Sequence, residues 1–244
     1  MKAKKVLALL LVAILMTGVC GCMNNNRYSK VDNEIRAELM QYAVEKYGCE
    51  FEEVFYETAA DATQNYVLCL RDENGRVFNV YEDGKTGDRT DDYKNSIVNQ
   101  KVYDYLKNYL SAECAAGEIA VKAIMNIDAE VDELEKMTAQ ECVDRFGLYS
   151  LVFVYHIDGA KGSIEANSVQ IIEAYHKLRK FTGSSIDFNV VVTSGDAKNV
   201  KNVRMNMLHR YSRSWYVYEE VQEYIACGNP KLTDTESVLA LIKE

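Results

Sequence analysis

The stretch LYSLVFVYHI at residues 148–157 carries the strongest strand signal in the chain. It is rich in leucine, valine, phenylalanine and tyrosine, and most of these residue types are enriched in strands because they fit the pleated surface of a sheet. We therefore predict a strand over this stretch and interpret the neighbouring segments relative to it.

The segments on either side of this strand show alternating helix and strand patterns. Thr138 and Glu141 have the spacing of a capping box, which predicts a short helix that ends near Gly147. Apolar residues at helical spacing over residues 164–178 predict another helix, and Gly183 closes it. The remaining predicted elements are strands at 118–127, 186–193 and 197–205 and a final short helix capped at 233–236.

The N-terminal half shows the pattern of a helix, three strands and a second helix. Apolar residues recur at helical spacing over residues 31–47, and Gly48 fits a C-cap. The following predicted elements are strands at 51–58, 65–71 and 76–81 and an amphipathic helix at 95–114. Asn74 and Gly75 favour a hairpin turn between the second and third strands, because both take positive φ readily.

The order of elements restarts at Gly117, where we place a domain boundary. The predicted fold class is α+β, with two small modules that each combine helices with an antiparallel sheet. Residues 42–56 and 141–155 both run from a helix end through a glycine into a strand, which leaves open either a duplication or a coincidence. The first module resembles the cystatin-like or PepSY-type domains of exported Gram-positive proteins, and this resemblance implies a fold only.

The amino terminus has the pattern of an export signal. Lys2, Lys4 and Lys5 precede an apolar run at residues 6–16. That run is shorter than the roughly 20 apolar residues of a membrane span. Val19-Cys20-Gly21-Cys22 then resembles the lipobox of bacterial lipoproteins: an aliphatic residue, a small one, Gly or Ala, and the modified cysteine.

The lipobox resemblance implies cleavage before Cys22 and a diacylglyceryl group on its sulfur. Two acyl chains hold a protein stably at a membrane. Cys20 is a rival anchor, although Val19 before it is bulkier than the pattern prefers, and an uncleaved signal anchor is the other alternative. The predicted segments are a signal peptide at 1–21, a tether at 22–30, and modules at 31–116 and 117–244.

Charge excludes one class of partner. The formal charge is −9, and removal of residues 1–21 takes away three lysines and no acidic residue, so the mature chain carries −12. Nucleic acid and anionic lipid headgroups repel such a chain. We therefore expect no nucleic-acid partner and a membrane association that depends on the lipid.

Cysteines and histidines give no metal-site pattern. The cysteines beyond the anchor are Cys49, Cys69, Cys114, Cys142 and Cys227. Their number is odd and their spacing irregular, so we interpret them as small buried apolar residues and leave a Cys49–Cys69 disulfide open. Neither a CxxC pair among them nor a zinc-type spacing occurs, so the sequence predicts no metal site and no cofactor.

Two polar segments match parts of known ligand-binding loops. Gly84-Lys85-Thr86 matches the end of a phosphate-binding loop, but Asn79 stands where that loop requires glycine, so we predict a polar turn. The aspartates of residues 83–92 could ligate calcium, but an EF-hand that began at Asp83 would have lysines at two ligand positions. A solvated loop is the preferred interpretation.

Catalytic residues are not indicated by any motif. His156 and Asp158 end the strong strand beside Gly159, which is a place where active sites occur, yet no nucleophile motif accompanies them. The sequence therefore favours a non-catalytic protein. The alternative is an exported hydrolase whose site forms only in three dimensions near His156 and Asp158.

A basic and aromatic segment is the candidate binding surface, formed by Arg210, Arg213, Tyr211, Trp215 and Tyr218. Arginine with tyrosine and tryptophan is the composition enriched at binding hot spots, although a core helix face with a basic edge explains it too. The aromatic spacing from Leu208 to Ile225 indicates a helix, and residues 215–218 are equally compatible with a strand. The leading hypothesis is a membrane-anchored lipoprotein that binds an envelope protein or peptide.

Overall fold

The computed structural model describes residues 30–58, 65–183, 185–194 and 221–243. Within these residues, six helices and two four-stranded sheets give an α+β fold, which confirms the predicted class. The described residues divide into two compact units, those of the first lying within Met1–Glu73 and Asn79–Asp91 and those of the second within Asn74–Phe78 and Asp92–Glu244.

The first unit is a helix packed on a sheet. Its elements are α1 (Lys30–Tyr47), β1 (Glu52–Thr58), β2 (Tyr66–Arg71), β3 (Val77–Glu82), whose first two residues belong to the second unit, and β4 (Arg89–Asp91), with the strand order β1-β2-β3-β4. Helix α1 contacts β2 and buries Leu39 and Ala43 completely. Gly48 ends α1 with φ +71°, as predicted, and its N–H donates to the Val44 carbonyl at 2.8 Å.

The second unit holds the strong strand in the middle of its sheet. Its elements are α2 (Tyr93–Tyr109), β5 (Gly117–Met125), α3 (Val131–Lys136), α4 (Ala139–Phe146), β6 (Leu148–Asp158), a 3₁₀ turn (Gly159–Lys161), α5 (Ser168–Thr182), β7 (Ser185–Thr193), β8 (Val221–Gly228) and α6 (Thr235–Leu239). The strand order is β5-β6-β7-β8. The ring of Phe153 stacks on that of Phe188, with 5.6 Å between the ring centroids. The ring of Tyr175 in α5 packs edge-on against Phe188, with 5.3 Å between centroids, so aromatic contacts connect helix α5 to the sheet.

The prediction of an antiparallel sheet is wrong for the second unit. Strands β6 and β7 pair in parallel, from Ser150 opposite Ser185 to Asp158 opposite Thr193. The reason is that α5 connects them, and a helical crossover brings the chain back to run in the same direction. The pairs β5–β6 and β7–β8 are antiparallel.

The division into units differs from the boundary placed at Gly117. Helix α2 packs against β5 and so belongs with the second sheet. Gly117 is the first residue of β5 and lies opposite Ile157. Glycine is needed at this position because two strands approach closely there. In the sequence, such a glycine looks the same as one in a linker.

The similarity between residues 42–56 and 141–155 is limited to their local structure. Both segments end a helix, pass through a glycine at positive φ and enter a strand. Strand β1 stands at an end of its sheet, however, whereas β6 lies inside a mixed sheet. The local similarity therefore does not extend to the sheets.

Ile225 does not belong to a helix as its spacing indicated. It lies in β8, opposite Val190, and is completely buried. The predicted helical face from Leu208 to Tyr218 and the predicted strand at 197–205 lie outside the described residues.

The five cysteines among the described residues are thiols. Cys69, Cys114 and Cys142 are buried, and Cys49 and Cys227 are half-buried. The interpretation as small apolar residues is therefore confirmed for the three buried ones, and the Cys49–Cys69 bridge is not formed.

Helix α4 offers a test of the capping box. Thr138 Oγ1 accepts from the Glu141 N–H at 3.2 Å, and Glu141 Oε2 accepts from the Thr138 N–H at 2.7 Å. We expect Thr138→Ala to lower the free energy of unfolding by about 1 kcal/mol. Urea denaturation measures this, with Thr138→Ser as the control that keeps the hydroxyl and should lose little. Equal losses in both variants would contradict the capping role.

Candidate functional site

The sequence-predicted lipid and partner sites lie outside the described residues. These are Cys22 and the group Arg210, Tyr211, Arg213, Trp215 and Tyr218. The described candidates are His156 and Asp158, at the carboxyl end of β6.

His156 lies against a hydroxyl that the sequence did not point to. The parallel pairing of β6 and β7 brings their carboxyl ends to the same edge of the sheet. There His156 Nε2 lies 2.6 Å from Thr193 Oγ1. Which atom donates depends on the histidine tautomer. Sequence spacing could not reveal this pair, because 37 positions separate the two residues.

The chemistry open to this pair is limited by burial. A histidine that accepts the proton of a hydroxyl is the first element of an activated nucleophile. Here, however, His156 is 8% exposed and Thr193 is 1% exposed. A buried hydrogen bond between strands is therefore the role that the geometry of the described residues supports.

Asp158 is engaged by its own turn. Its Oδ1 accepts from the Ala160 N–H at 3.0 Å and so caps the 3₁₀ turn that follows. The next loop is held to β8, because Glu223 Oε2 accepts from the Ile164 N–H at 2.9 Å. A Cβ at Gly159 would lie 2.7 Å from the Thr193 carbonyl oxygen. The chain is thus tightly packed beside the candidate histidine.

The segment that matches a phosphate-binding loop is a hairpin turn between β3 and β4. Asp83 Oδ1 accepts from the backbone N–H groups of Lys85 at 2.8 Å and Thr86 at 3.2 Å. Gly87 completes the turn at φ +73° and donates to the Asp83 carbonyl at 2.7 Å. The N–H groups that could hold a phosphate serve the turn itself. The prediction of a polar turn is confirmed.

Asp91 is part of β4, a short strand that the sequence interpretation missed. Its side chain is 3% exposed and accepts from Lys46 at 2.6 Å and from the Tyr47 hydroxyl at 2.5 Å. Burial and the hydrogen bond to Asp91 raise the pKa of Tyr47. This acidic residue therefore joins the end of α1 to β4 instead of facing solvent as predicted.

A second ion pair with a buried carboxylate lies where α2 leads into β5. Glu113 Oε1 bonds Lys177 Nζ of α5 at 2.7 Å, and Lys177 lies 5.1 Å from the centre of the Tyr109 ring. Burial raises the pKa of the neighbouring Cys114 thiol to about 12. Cys114 therefore stays protonated, and thiolate chemistry is not available to it near neutral pH.

The Glu113–Lys177 pair predicts a pH dependence of stability. The hydrogen bond from Lys177 lowers the pKa of Glu113 below its ordinary 4.5 in the folded state. A carboxylate whose pKa is lowered by folding stabilises the folded state fully above pH 4.5. This stabilisation is lost as the pH falls through the folded-state pKa. Urea titrations across this acid range should show a shallower loss for Glu113→Gln than for wild type. Identical slopes would contradict the assignment, and Glu165→Gln, an exposed change, is the control.

No three His, Cys, Asp or Glu side chains converge as a metal-binding group in the part of the chain that the structure describes. An open depression of ≈ 470 Å³ is lined by Met137, Glu141, Asp144 and Arg145. Arg145 pairs there with Glu133. Neither His156 nor Asp158 lines this depression.

No helix in the described ranges is long and apolar enough to cross a membrane.

Comparisons with known proteins identify no family. No family model matches the chain. No curated protein matches it either. Among solved structures, the chain is similar to a DUF5037 family protein from Ruminococcus gnavus, with 13% identity and a TM-score of 0.49. The alignment covers 85% of this chain and 98% of that protein.

Proposed function

We propose that this chain is a lipoprotein of the extracytoplasmic face of a bacterial membrane, anchored through Cys22, and that it binds a protein or peptide partner there without catalysis. The observation that carries the anchor is Val19-Cys20-Gly21-Cys22 directly after a short apolar run with lysines before it. The tether at 22–30 then holds the folded units near the bilayer.

The anchor is tested by cell fractionation in a bacterial host. The wild-type chain is expected in the membrane fraction and to be released by detergent. The amount of Cys22→Ser protein in the membrane fraction is expected to be far lower than that of wild type, because one residue carries both acyl chains. Cys49→Ser is the matched control and should remain with the membrane. Membrane retention of Cys22→Ser equal to wild type would contradict the anchor.

Support for a binding role comes from what the described polar groups do. His156 bonds Thr193, and Asp158 caps its own turn, so both are engaged within the fold. The segment with Arg213 and Trp215 has the composition of a binding hot spot. Crosslinked envelope partners should be lost from Trp215→Ala and Arg213→Ala. An unchanged set of partners would remove this segment from the proposal.

The alternative function is hydrolysis, and one observation favours it: the short hydrogen bond between His156 and Thr193. If Thr193 were a nucleophile, a fluorophosphonate probe would label the wild-type chain but neither Thr193→Val nor His156→Gln. Our proposal predicts no labelling of the wild type. Labelling that depends on both residues would establish the hydrolase instead.

A further inference from the structure

The turn that joins β2 to β3 contains an asparagine followed by a glycine. Strand β2 ends at Arg71 and β3 begins at Val77, and the two strands are neighbours in the first sheet. Asn74 and Gly75 lie between them, and both are exposed. Gly75 has φ +78°, a left-handed conformation that glycine adopts without strain. The turn therefore presents this pair to water.

An asparagine before a glycine can lose its side-chain amide to attack by the backbone. The Gly75 nitrogen would attack Asn74 Cγ, so that a new C–N bond forms and the bond from Cγ to Nδ2 breaks. Ammonia leaves with the proton of the attacking nitrogen, and a cyclic imide remains. Water then opens the ring at one of its two carbonyls and leaves aspartate or isoaspartate. Water is the only co-reactant of the sequence.

The surroundings of Gly75 leave room for this attack. A Cβ built at Gly75 would meet no atom within 4 Å, so neighbouring groups do not crowd the backbone there. Glycine itself has no side chain beside the attacking nitrogen, and its backbone moves between conformations more easily than that of other residues. Exposed tips of turns are also the parts of a fold that open most readily.

The residue after this pair is held in place. Arg76 is 7% exposed, and its Nη1 donates to Glu135 Oε1 at 2.5 Å. Its guanidinium carbon lies 5.7 Å from the centre of the Tyr93 ring. Conversion of Asn74 would add a negative charge two residues before this buried arginine. Isoaspartate would also lengthen the backbone by one methylene at the tip of a turn whose end is fixed.

Two other asparagines lack these conditions. Asn229 precedes Pro230, which has no N–H to lose, and its side chain bonds the Ile186 N–H at 2.8 Å and the Ser185 hydroxyl at 3.0 Å. Asn108 is exposed like Asn74, but it lies in α2 before a tyrosine. The helical backbone at Asn108 holds the next nitrogen away from the side chain, so Asn108 serves as an internal control.

We propose that Asn74 is a site of spontaneous deamidation in the folded protein, with Gly75 supplying the attacking nitrogen. The modification does not depend on the proposed binding function and needs no enzyme. It changes the charge of the mature chain from −12 to −12 − 1 = −13 in each molecule that reacts. The new charge lies in the turn between β2 and β3.

The test is incubation of the folded mature chain, carrying Cys22→Ser, in heavy-oxygen water at mildly alkaline pH. Trypsin in ordinary water then cuts after Arg71 and Arg76 and releases residues 72–76, in which Asn74 is the only asparagine. We expect the fraction of this peptide with an acid in place of the amide, and with heavy oxygen in that acid, to rise with time. The rate should increase with pH, because the deprotonated nitrogen attacks.

Controls decide whether the turn and its glycine are responsible. The tryptic peptide of residues 108–122, which contains Asn108, should stay unlabelled in the same sample. Asn74→Gln keeps an amide on a longer side chain and should abolish the labelling of residues 72–76. A parallel sample unfolded in urea shows the reactivity of the free chain, and circular dichroism reports that the first sample stays folded. Labelling of Asn74 in urea but not in the folded chain would overturn the proposal, as would equal labelling of Asn108 or of Asn74→Gln.

Discussion

Gly117→Ala is expected to cost about 3 kcal/mol or more of folding free energy, or to prevent folding of the second unit. A Cβ at this position would lie 1.8 Å from the His156 carbonyl oxygen and 2.9 Å from the Ile157 Cα. Both are backbone atoms of β6, so no side-chain rotation relieves the overlap. The two strands would have to separate at the point where β5 begins.

Gly228→Ala is the matched control for that change. Gly228 also lies in a strand of the same sheet, but a Cβ there meets no atom within 4 Å. Its substitution should leave the urea midpoint within a few tenths of a molar of wild type, since alanine restricts the unfolded chain slightly more than glycine. Equal stability of the two variants would contradict the close approach of β5 and β6.

Phe153→Ala is the second large effect that we expect, at about 3–5 kcal/mol. Phe153 is completely buried and stacks on Phe188, which in turn meets Tyr175 of α5. Truncation leaves a cavity between sheet and helix that rigid neighbours fill only in part. Chemical denaturation followed by circular dichroism measures the loss.

The control for Phe153→Ala lies on the same strand. Tyr149 is also aromatic, but it is 67% exposed. Tyr149→Ala should change stability by about 0.5 kcal/mol or less, because exposed side chains lose few contacts. A loss at Tyr149 as large as that at Phe153 would mean that the second sheet packs differently from the structure described.

Local signals in the sequence predicted the local structure well. The capping box of Thr138 and Glu141 and the glycine ends at Gly48 and Gly183 act within a few residues, so sequence spacing alone specifies them. The buried strand at 148–157 was equally clear, because its residue types are decisive without reference to the rest of the chain.

Long-range contacts were not accessible from the sequence. Lys46 bonds Asp91, which lies 45 positions away in the sequence, and His156 bonds Thr193, which lies 37 positions away. An aspartate in a polar segment carries no sign that a lysine and a tyrosine will enclose it. The parallel pairing of β6 and β7 was missed for a related reason, since strand direction depends on the path of α5 and not on the strand residues.

Mass spectrometry of the mature amino terminus tests the central claim most directly. Trypsin cuts after Arg27, so cleavage before Cys22 yields a peptide of residues 22–27. We predict that this peptide carries a diacylglyceryl group on the Cys22 sulfur. A lipid-bearing peptide that begins at Cys20, or an unmodified peptide that still contains residues before Cys20, would contradict the anchor assigned to Cys22.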